Sequence, residues 1–158
     1  MPIDADAFRA ALGRFTSGVT VVTTRDAQGS DHGMTVSAFC SVSLVPPLVL
    51  ACIGHEASMH GLALRADHFG VSILASGQEA LARRFADQRS DRFDGIGYSR
   101  GRLGVALIDD ALAHLECTVV DRHEAGDHTI IVGRVEAAAY DQGRPLVYYR
   151  GGYTQLER

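Results

Sequence analysis

Hydroxyl side chains and one aromatic ring alternate with apolar residues along a predicted strand at residues 34–43. The second face of this strand carries Thr35, Ser37, Phe39, Ser41 and Ser43. Several neutral hydrogen-bonding groups beside a flat apolar ring suit a planar ligand that is rich in heteroatoms. A strand whose hydroxyls face water shows the same alternation, so the pattern alone leaves both interpretations open.

Ser58 and His128 are further candidates for ligand contacts. Ser58 lies in the first turn of a predicted helix, where a hydroxyl and free backbone N–H groups can bind phosphate, although a plain helix cap is the simpler explanation. His128 follows Gly126 and Asp127 at the start of a predicted hairpin strand. An imidazole there can reach over a ligand at the rim of a barrel and change charge near neutral pH. An ordinary turn histidine fits the same pattern.

Other motifs give no sharp chemical indication. His55 and His60 are five residues apart, a poor spacing for two ligands on one helix face, and we predict no metal site. The glycines at residues 95–101 miss the dinucleotide fingerprint by one position and follow no predicted strand. No order of Ser, His and Asp, or of Cys and His, indicates a hydrolase.

The three cysteines, Cys40, Cys52 and Cys117, lie far apart and include no CxxC pair. Neither a disulfide framework nor a thiolate zinc site is therefore indicated. Each lies in an apolar stretch, where buried free cysteine is common. We predict inert core thiols at Cys40 and Cys117.

Composition predicts one globular domain over residues 1–158. Hydrophobic residues make up 46% and charged residues 22%, which excludes a disordered chain, a fibre and a coiled coil. No apolar run is long enough for a membrane helix, and no signal peptide is legible, so we expect a cytoplasmic protein. The net charge is −4, and the basic residues within 83–102 are interleaved with acidic ones, which argues against nucleic acid as a partner.

The elements that must position these residues are mainly strands. Periodicity and turn signals predict a helix at 4–15 capped by Asp4, strands at 19–24, 34–43 and 48–53, a helix at 57–65, a strand at 69–74, a helix at 78–87, a loop at 88–104, a hairpin of strands at 113–122 and 128–139, and a last strand at 145–149. Six or seven strands joined mostly by turns, with two or three helices, predict a mainly β fold, an antiparallel barrel with helical additions.

Four segments, in order along nearly the whole chain, carry a family resemblance: residues 8–24, residues 33–49, Gly126-Asp127-His128 with Gly133-Arg134-Val135, and residues 145–153. Together they resemble the short-chain flavin reductases, the reductase components of two-component flavin-dependent monooxygenases. The resemblance implies an antiparallel, Greek-key split barrel. It also implies a homodimer with flavin, FMN or FAD, near the subunit interface.

The resemblance also implies roles for particular residues. The isoalloxazine ring would be lined by Thr35, Val36, Ser37, Ala38 and Phe39, and flanked by Cys52, Ile53 and Gly54. Ser58 and Met59 match a segment that meets the phosphate, and Arg84 and Phe85 match a second contact. His128 and the run Tyr149, Arg150, Gly151, Gly152 and Tyr153 match the region of the nicotinamide nucleotide. Ala57 stands where the family often has a polar residue, which weakens the expected phosphate contacts.

The implied reaction is hydride transfer from nicotinamide C4 to flavin N5, in which the protein stacks the two rings and tunes the charge around them. His128 would position the nicotinamide or stabilise reduced flavin, which a partner monooxygenase would receive. NADH is expected rather than NADPH, because no arginine cluster for a 2′-phosphate is placed near the nicotinamide residues. The alternatives are a non-catalytic flavin- or haem-binding split barrel for storage or sensing, and a relative of the pyridoxamine-phosphate oxidases, whose expected cluster of basic residues is not seen.

Overall fold

The computed structural model describes residues 1–157, which form a mainly β structure with three short α-helices. The helices are α1 (Ala5–Leu12), α2 (His60–Ala63) and α3 (Glu79–Ala86), and a 3₁₀ turn (Ser76–Gln78) precedes α3. The strands are β1 (Ser17–Gly18), β2 (Thr20–Arg25), β3 (Asp31–Val36), β4 (Phe39–Ser43), β5 (Leu48–Gly54), β6 (His68–Ile73), β7 (Tyr98–Arg100), β8 (Ala106–Ile108), β9 (Ala113–Ala125), β10 (His128–Tyr140), β11 (Leu146–Tyr149) and β12 (Gly152–Gln155). No helix within residues 1–157 is long and apolar enough to cross a membrane.

Seven strands form one antiparallel sheet in the order β3-β2-β6-β9-β10-β5-β4. The two edges, β3 and β4, are joined directly by Ser37 and Ala38, so the sheet closes into a barrel through this link. If β3 and β4 are counted as one bent strand, β6, β2, β3/β4 and β5 lie in the 4-1-2-3 order of a Greek key. The structure confirms the antiparallel barrel that the strand pattern predicts and the split-barrel fold that the family resemblance implies.

The predicted continuous strand at 34–43 is wrong, because the chain bends at Ser37 and Ala38. Before the bend it pairs with β2 and after it with β5, and the Cys52 N–H donates to the Ala38 carbonyl (3.0 Å) at the junction. The bend shifts the alternation by one position. Phe39, opposite Ala51, packs against the barrel core, whereas Cys40 is exposed, so the prediction of a buried Cys40 thiol is also wrong. Cys117 is fully buried, as predicted.

Two apolar cores flank β2, which is buried on both faces except at Arg25. Val22, Ile53 and Phe69 belong to the core inside the barrel. Val21 and Phe85 belong to the second core, beneath α3. The run of β-branched residues in β2 thus fits a strand with no solvent-facing side.

Four local predictions need correction. The predicted loop at 88–104 contains β7, which pairs with β8 beyond it. The chain after residue 151 forms an additional strand, β12, which pairs with β11. The helix predicted at 57–65 is reduced to α2, and α1 ends three residues earlier than predicted, at Leu12. The strands that the sequence does not predict are β1, β7, β8 and β12, and each has four residues or fewer, too few for an alternating pattern to stand out.

Candidate functional site

A wide cleft of about 610 Å³ opens beside the bend between β3 and β4. Its floor comes from the bend and from the outward face of β5, and its walls come from α1 and from the turn between β11 and β12. The lining residues include Ser37, Ala38, Phe39, Cys40, Leu50, Cys52, Phe8, Leu12 and Gly151. The volume and the mainly apolar lining with a few hydroxyl and thiol groups are typical of a small-molecule site. We call it the main cleft.

A second groove of about 400 Å³ lies between β3, the turn at residues 57–59 and the loop that follows α3. A recess of about 130 Å³ continues it and shares Ser58, Gln88 and Arg92 with it. Asp31, His32, Gly33, Arg89 and Ser90 also line this groove, which we call the loop groove. Thr35 borders the recess and Ser37 borders the main cleft, so the two sites are about 7 Å apart along the strand.

Arg92 is the cation best placed in the loop groove. Its guanidinium donates to the carbonyls of Gly33 (2.7 Å) and Asp87 (2.9 Å). Burial lowers the pKa of Arg92 from its usual value, but an arginine stays protonated. Within residues 1–157 no carboxylate lies within salt-bridge distance of it, and these backbone contacts use three of its five N–H groups. Two N–H groups and a full positive charge are therefore available to an anion.

Arg84, the residue the sequence singled out, has a different role. It donates to the carbonyls of Asp91, Arg92 and Asp94, and so fixes the loop that carries Arg92. It borders neither the loop groove nor the main cleft. Its contribution to a ligand would therefore be indirect, through the position of this loop.

An ion pair ties the rim of the loop groove to the segment that contains β7. The Arg100 guanidinium donates two hydrogen bonds to the Asp31 carboxylate (2.9 and 2.8 Å), and the Tyr98 hydroxyl donates to the same carboxylate (3.1 Å). The Asp31 side chain is only 8% exposed. The hydrogen bonds from Arg100 hold the pKa of Asp31 below its ordinary value of 3.8.

We expect Asp31→Asn to lower the free energy of unfolding at pH 7 by about 1–2 kcal/mol, because it removes a charge-assisted bidentate contact. Because folding depresses this pKa, the stabilisation is complete above the ordinary aspartate range and is lost as the pH falls through the lowered pKa. Urea denaturation at pH 7 and pH 3 should therefore show that wild type and variant differ in their free energy of unfolding, and that this difference is smaller at pH 3. Asp91→Asn, which breaks an exposed pair with Arg89, is the matched control and should change stability little. A gap of equal size at both pH values would contradict this assignment.

His128 stands at the first position of β10, beside the end of β5. Its Nδ1–H donates to the Asp127 carboxylate (2.7 Å), and this hydrogen bond lowers the pKa of Asp127. Its cross-strand neighbour is Gly54, and a β-carbon at that position would lie 3.6 Å from the His128 Nε2. Since glycine has no side chain, Nε2 faces open space on the outward side of the sheet. Gly126 takes a positive φ of 63° at the first central position of the hairpin turn, which favours glycine.

The structure brings together only part of the predicted site. Ser37, Ala38, Phe39, Cys52 and Gly151 meet in the main cleft, and burial raises the pKa of the Cys52 thiol, which stays neutral. Thr35, Ser58, Met59 and Phe85 border the loop groove or its recess.

Other predicted residues are engaged elsewhere. The side chains of Val36 and Ile53 lie in the barrel core, and the Thr35 hydroxyl donates to the Ala82 carbonyl (2.6 Å). Tyr153 packs between Tyr148 and the Arg83 guanidinium.

The turn between β11 and β12 supplies the remaining predicted residues. Arg150 and Gly151 take positive φ angles of 51° and 76° between the paired residues Tyr149 and Gly152. The Arg150 N–H donates to the Gly13 carbonyl (2.8 Å) and docks this turn against the end of α1. The turn thereby becomes a wall of the main cleft.

Two groups of residues were not predicted from the sequence: the loop residues Gln88, Arg89, Ser90 and Arg92, and the apolar side chains Phe8 and Leu12 of α1. The exposure of Phe8 and Leu12, 54% and 52%, is high for large apolar residues. The sequence signal for the loop was its density of arginines. Interleaved acidic residues argue against nucleic acid as the partner of these arginines, but they are compatible with a single phosphate.

Comparison with known proteins gives consistent matches over the whole barrel. A family model described as a flavin reductase like domain matches residues 12–157. An NADH-dependent flavin reductase from Rhodococcus is 50% identical over an alignment of 153 residues, and the match covers 94% of this chain and 85% of that protein. The reductase component of a 4-nitrophenol 4-monooxygenase/4-nitrocatechol 2-monooxygenase from Rhodococcus opacus is 40% identical over 152 residues, which are 96% of this chain and 81% of that protein.

A solved structure extends the likeness to three dimensions. The NADH:FAD oxidoreductase of Streptomyces globisporus C-1027, in complex with NAD and FAD fragments, superposes with a TM-score of 0.91 at 39% identity. The match covers 99% of this chain and 96% of that one.

Proposed function

The chain belongs to the flavin reductase family, and we propose that it transfers hydride from NADH to FMN or FAD and supplies the reduced flavin to a partner monooxygenase. The observation that carries the proposal is the pair of adjoining sites at the β3–β4 bend. One is apolar and suited to a ring system, and the other is lined by an arginine with free N–H groups. A flavin has this combination of parts, since a flexible ribityl chain joins its planar ring to its phosphate.

The residues present fit a flavin nucleotide. The main cleft offers the flat side chain of Phe39, the hydroxyl of Ser37 and the backbone of the bend to the isoalloxazine ring. The loop groove offers Ser58 and Arg92 to the phosphate. Both FMN and FAD present a phosphate at that position, so the two contacts suit either nucleotide.

When bound, the flavin supplies the hydride acceptor N5, and nicotinamide C4 of NADH is the donor. The protein contributes position and electrostatics. Apolar walls from α1 and β5 exclude water from the ring, and the neutral Cys52 thiol places no negative charge beside it. His128, fixed by Asp127, presents Nε2 on the outward side of the sheet, where it orients the nicotinamide or stabilises the negative charge of the reduced ring.

A homodimer is part of the same proposal. Phe8, Leu12 and Phe15 beside the main cleft, with Leu44 and Val45 after β4, are all at least half exposed. Exposed apolar side chains grouped in this way are typical of an interaction surface. A second copy of the chain would cover them and deepen the main cleft. Sedimentation equilibrium at micromolar concentration should give the dimer mass, and a monomer would contradict this part of the proposal.

The function is tested by anaerobic stopped-flow with purified protein, NADH and either FMN or FAD. We expect bleaching of the visible flavin band far faster than in the protein-free control, and faster with NADH than with NADPH. The more efficient flavin identifies the preferred nucleotide. Flavin that binds without bleaching would overturn the proposal in favour of a storage or sensing protein, and absence of binding would overturn both.

A further inference from the structure

Two histidines and a glutamate meet outside the two proposed flavin sites. The side chains of His55, His60 and Glu124 place one potential ligand atom each within 4.8 Å of one another. In residues 1–157 this is the one group of three or more such side chains with that geometry. A spacing of five residues disfavours His55 and His60 as joint ligands only if both lie on one helix. Instead, α2 begins at His60, and His55 lies in the preceding turn.

Hydrogen bonds already aim these side chains at one another. The His55 Nε2–H donates to Glu124 Oε2 (2.9 Å), and the Thr129 hydroxyl donates to Glu124 Oε1 (2.8 Å). Because the Thr129 proton is used in that bond, Thr129 Oγ1 accepts from the His60 Nε2–H (2.9 Å). The two imidazoles also pack edge to face, with ring centroids 4.7 Å apart. Both Nε2 atoms therefore converge on one carboxylate.

The supporting Thr129 is buried, whereas two of the three ligand side chains, His55 and Glu124, are exposed and His60 is half-buried. Thr129 is 1% exposed and fixes the orientation of the Glu124 carboxylate, as outer partners of metal ligands do. The side chains of His55 and Glu124 are 36% and 66% exposed, which leaves room for an ion and a water molecule. The backbone N–H of His55 also donates to the Asp127 carbonyl (2.9 Å). This hydrogen bond already joins the turn after β5 to the β9–β10 hairpin.

We propose that His55, His60 and Glu124 bind a divalent transition metal ion through two imidazole nitrogens and one carboxylate. Two histidines, one glutamate and a water form a four-coordinate set that suits Zn²⁺. At metal–ligand bonds of about 2.0–2.1 Å the ligand atoms would be about 3.3 Å apart, so small side-chain movements suffice. Each imidazole must move its ring proton from Nε2 to Nδ1 to expose the lone pair, and no proton is lost overall.

Such an ion would link three elements: the turn after β5, the start of α2 and the β9–β10 hairpin. It would lie beside Thr129, the residue that follows Asp127 and His128. It would lie outside both proposed flavin sites. Its expected consequence is stabilisation of the folded chain, because an ion that binds the folded state alone shifts the unfolding equilibrium. This consequence does not depend on the reductase activity.

The test uses the full chain, stripped with EDTA and titrated with Zn²⁺ by calorimetry. We expect one ion per chain and a melting temperature roughly 3–5 °C higher at a tenfold excess of Zn²⁺ over its Kd. His60→Gln and Glu124→Gln should each weaken binding at least about tenfold, and Thr129→Val by about 10- to 100-fold. Circular dichroism confirms that each variant is folded.

His123→Ala is the matched control. His123 precedes Glu124 on the same strand and contacts a carboxylate, Asp121, at 3.1 Å, but belongs to no group of three. Its loss should leave the affinity unchanged. Absence of binding to the wild-type chain, or equal affinity in folded His60→Gln and Glu124→Gln variants, would overturn the proposal. The second outcome would place the ion elsewhere, for example on the Cys40 and Cys52 thiols.

Discussion

Replacing His128 with alanine is expected to slow NADH-dependent flavin reduction by about 10- to 100-fold, at or below the usual cost of losing one preorganised electrostatic contact. Flavin affinity should change less than about threefold, since the imidazole borders neither the main cleft nor the loop groove. The hydrogen bond to Asp127 fixes one ring nitrogen, and the absence of a side chain at Gly54 leaves the other free. We therefore expect His128 to act on the second substrate or on the reduced ring, and not on the binding of flavin.

The measurement is single-turnover reduction of pre-mixed flavin by NADH under anaerobic conditions, with flavin Kd determined separately by fluorescence. His128→Gln distinguishes the two possible roles. Glutamine keeps a hydrogen-bonding group but cannot become positively charged. His128→Gln should therefore restore the reduction rate if His128 orients the nicotinamide, but not if it stabilises the negative charge of reduced flavin. His123→Ala, on the neighbouring strand, is the control. An unchanged reduction rate in His128→Ala would remove His128 from the mechanism.

The barrel strands could be predicted because their signals are local. β9 and β10 are long alternating segments joined by a glycine turn, and every residue of β2 before Arg25 is β-branched. The bend at Ser37 could not be predicted in this way. Alternation of side chains continues through it, and only the exchange of β2 for β5 as hydrogen-bonding partner breaks the strand. The same exchange decides that Phe39 packs against the barrel core and that Cys40 is exposed, which reverses what the pattern indicates.

Chemistry at the site was harder to predict than the fold, because several residue types there have structural uses. The Thr35 hydroxyl borders the recess and is a suitable donor for a ligand, but it already donates its hydrogen bond to the Ala82 carbonyl. Arg84 and Arg92 are eight residues apart and both donate to backbone carbonyls. Only the three-dimensional arrangement shows that Arg84 holds the loop from outside, whereas Arg92 faces the groove. The family resemblance indicates the region, and the contacts favour Arg92 within it.

Arg92→Ala is therefore expected to raise the KM for FMN or FAD by about 10- to 100-fold, the effect of losing charge-assisted hydrogen bonds to a phosphate. The kcat should change much less, because we propose that the reacting rings bind in the main cleft. Arg65→Ala removes an exposed arginine that follows α2 and donates a hydrogen bond to the Gly61 carbonyl of that helix, and this control should behave as wild type.

Riboflavin separates the loss of a phosphate contact from general damage to the loop, since it has the same ring and ribityl chain but no phosphate. If Arg92 binds phosphate, the variant loses efficiency with FMN and keeps its efficiency with riboflavin, so the preference for FMN over riboflavin falls by the same 10- to 100-fold factor. If Arg92 only holds Gly33 and Asp87 in place, both substrates suffer equally and the preference is unchanged. That second result would contradict the assignment and would leave Ser58 and Arg89 as the remaining phosphate contacts in the groove.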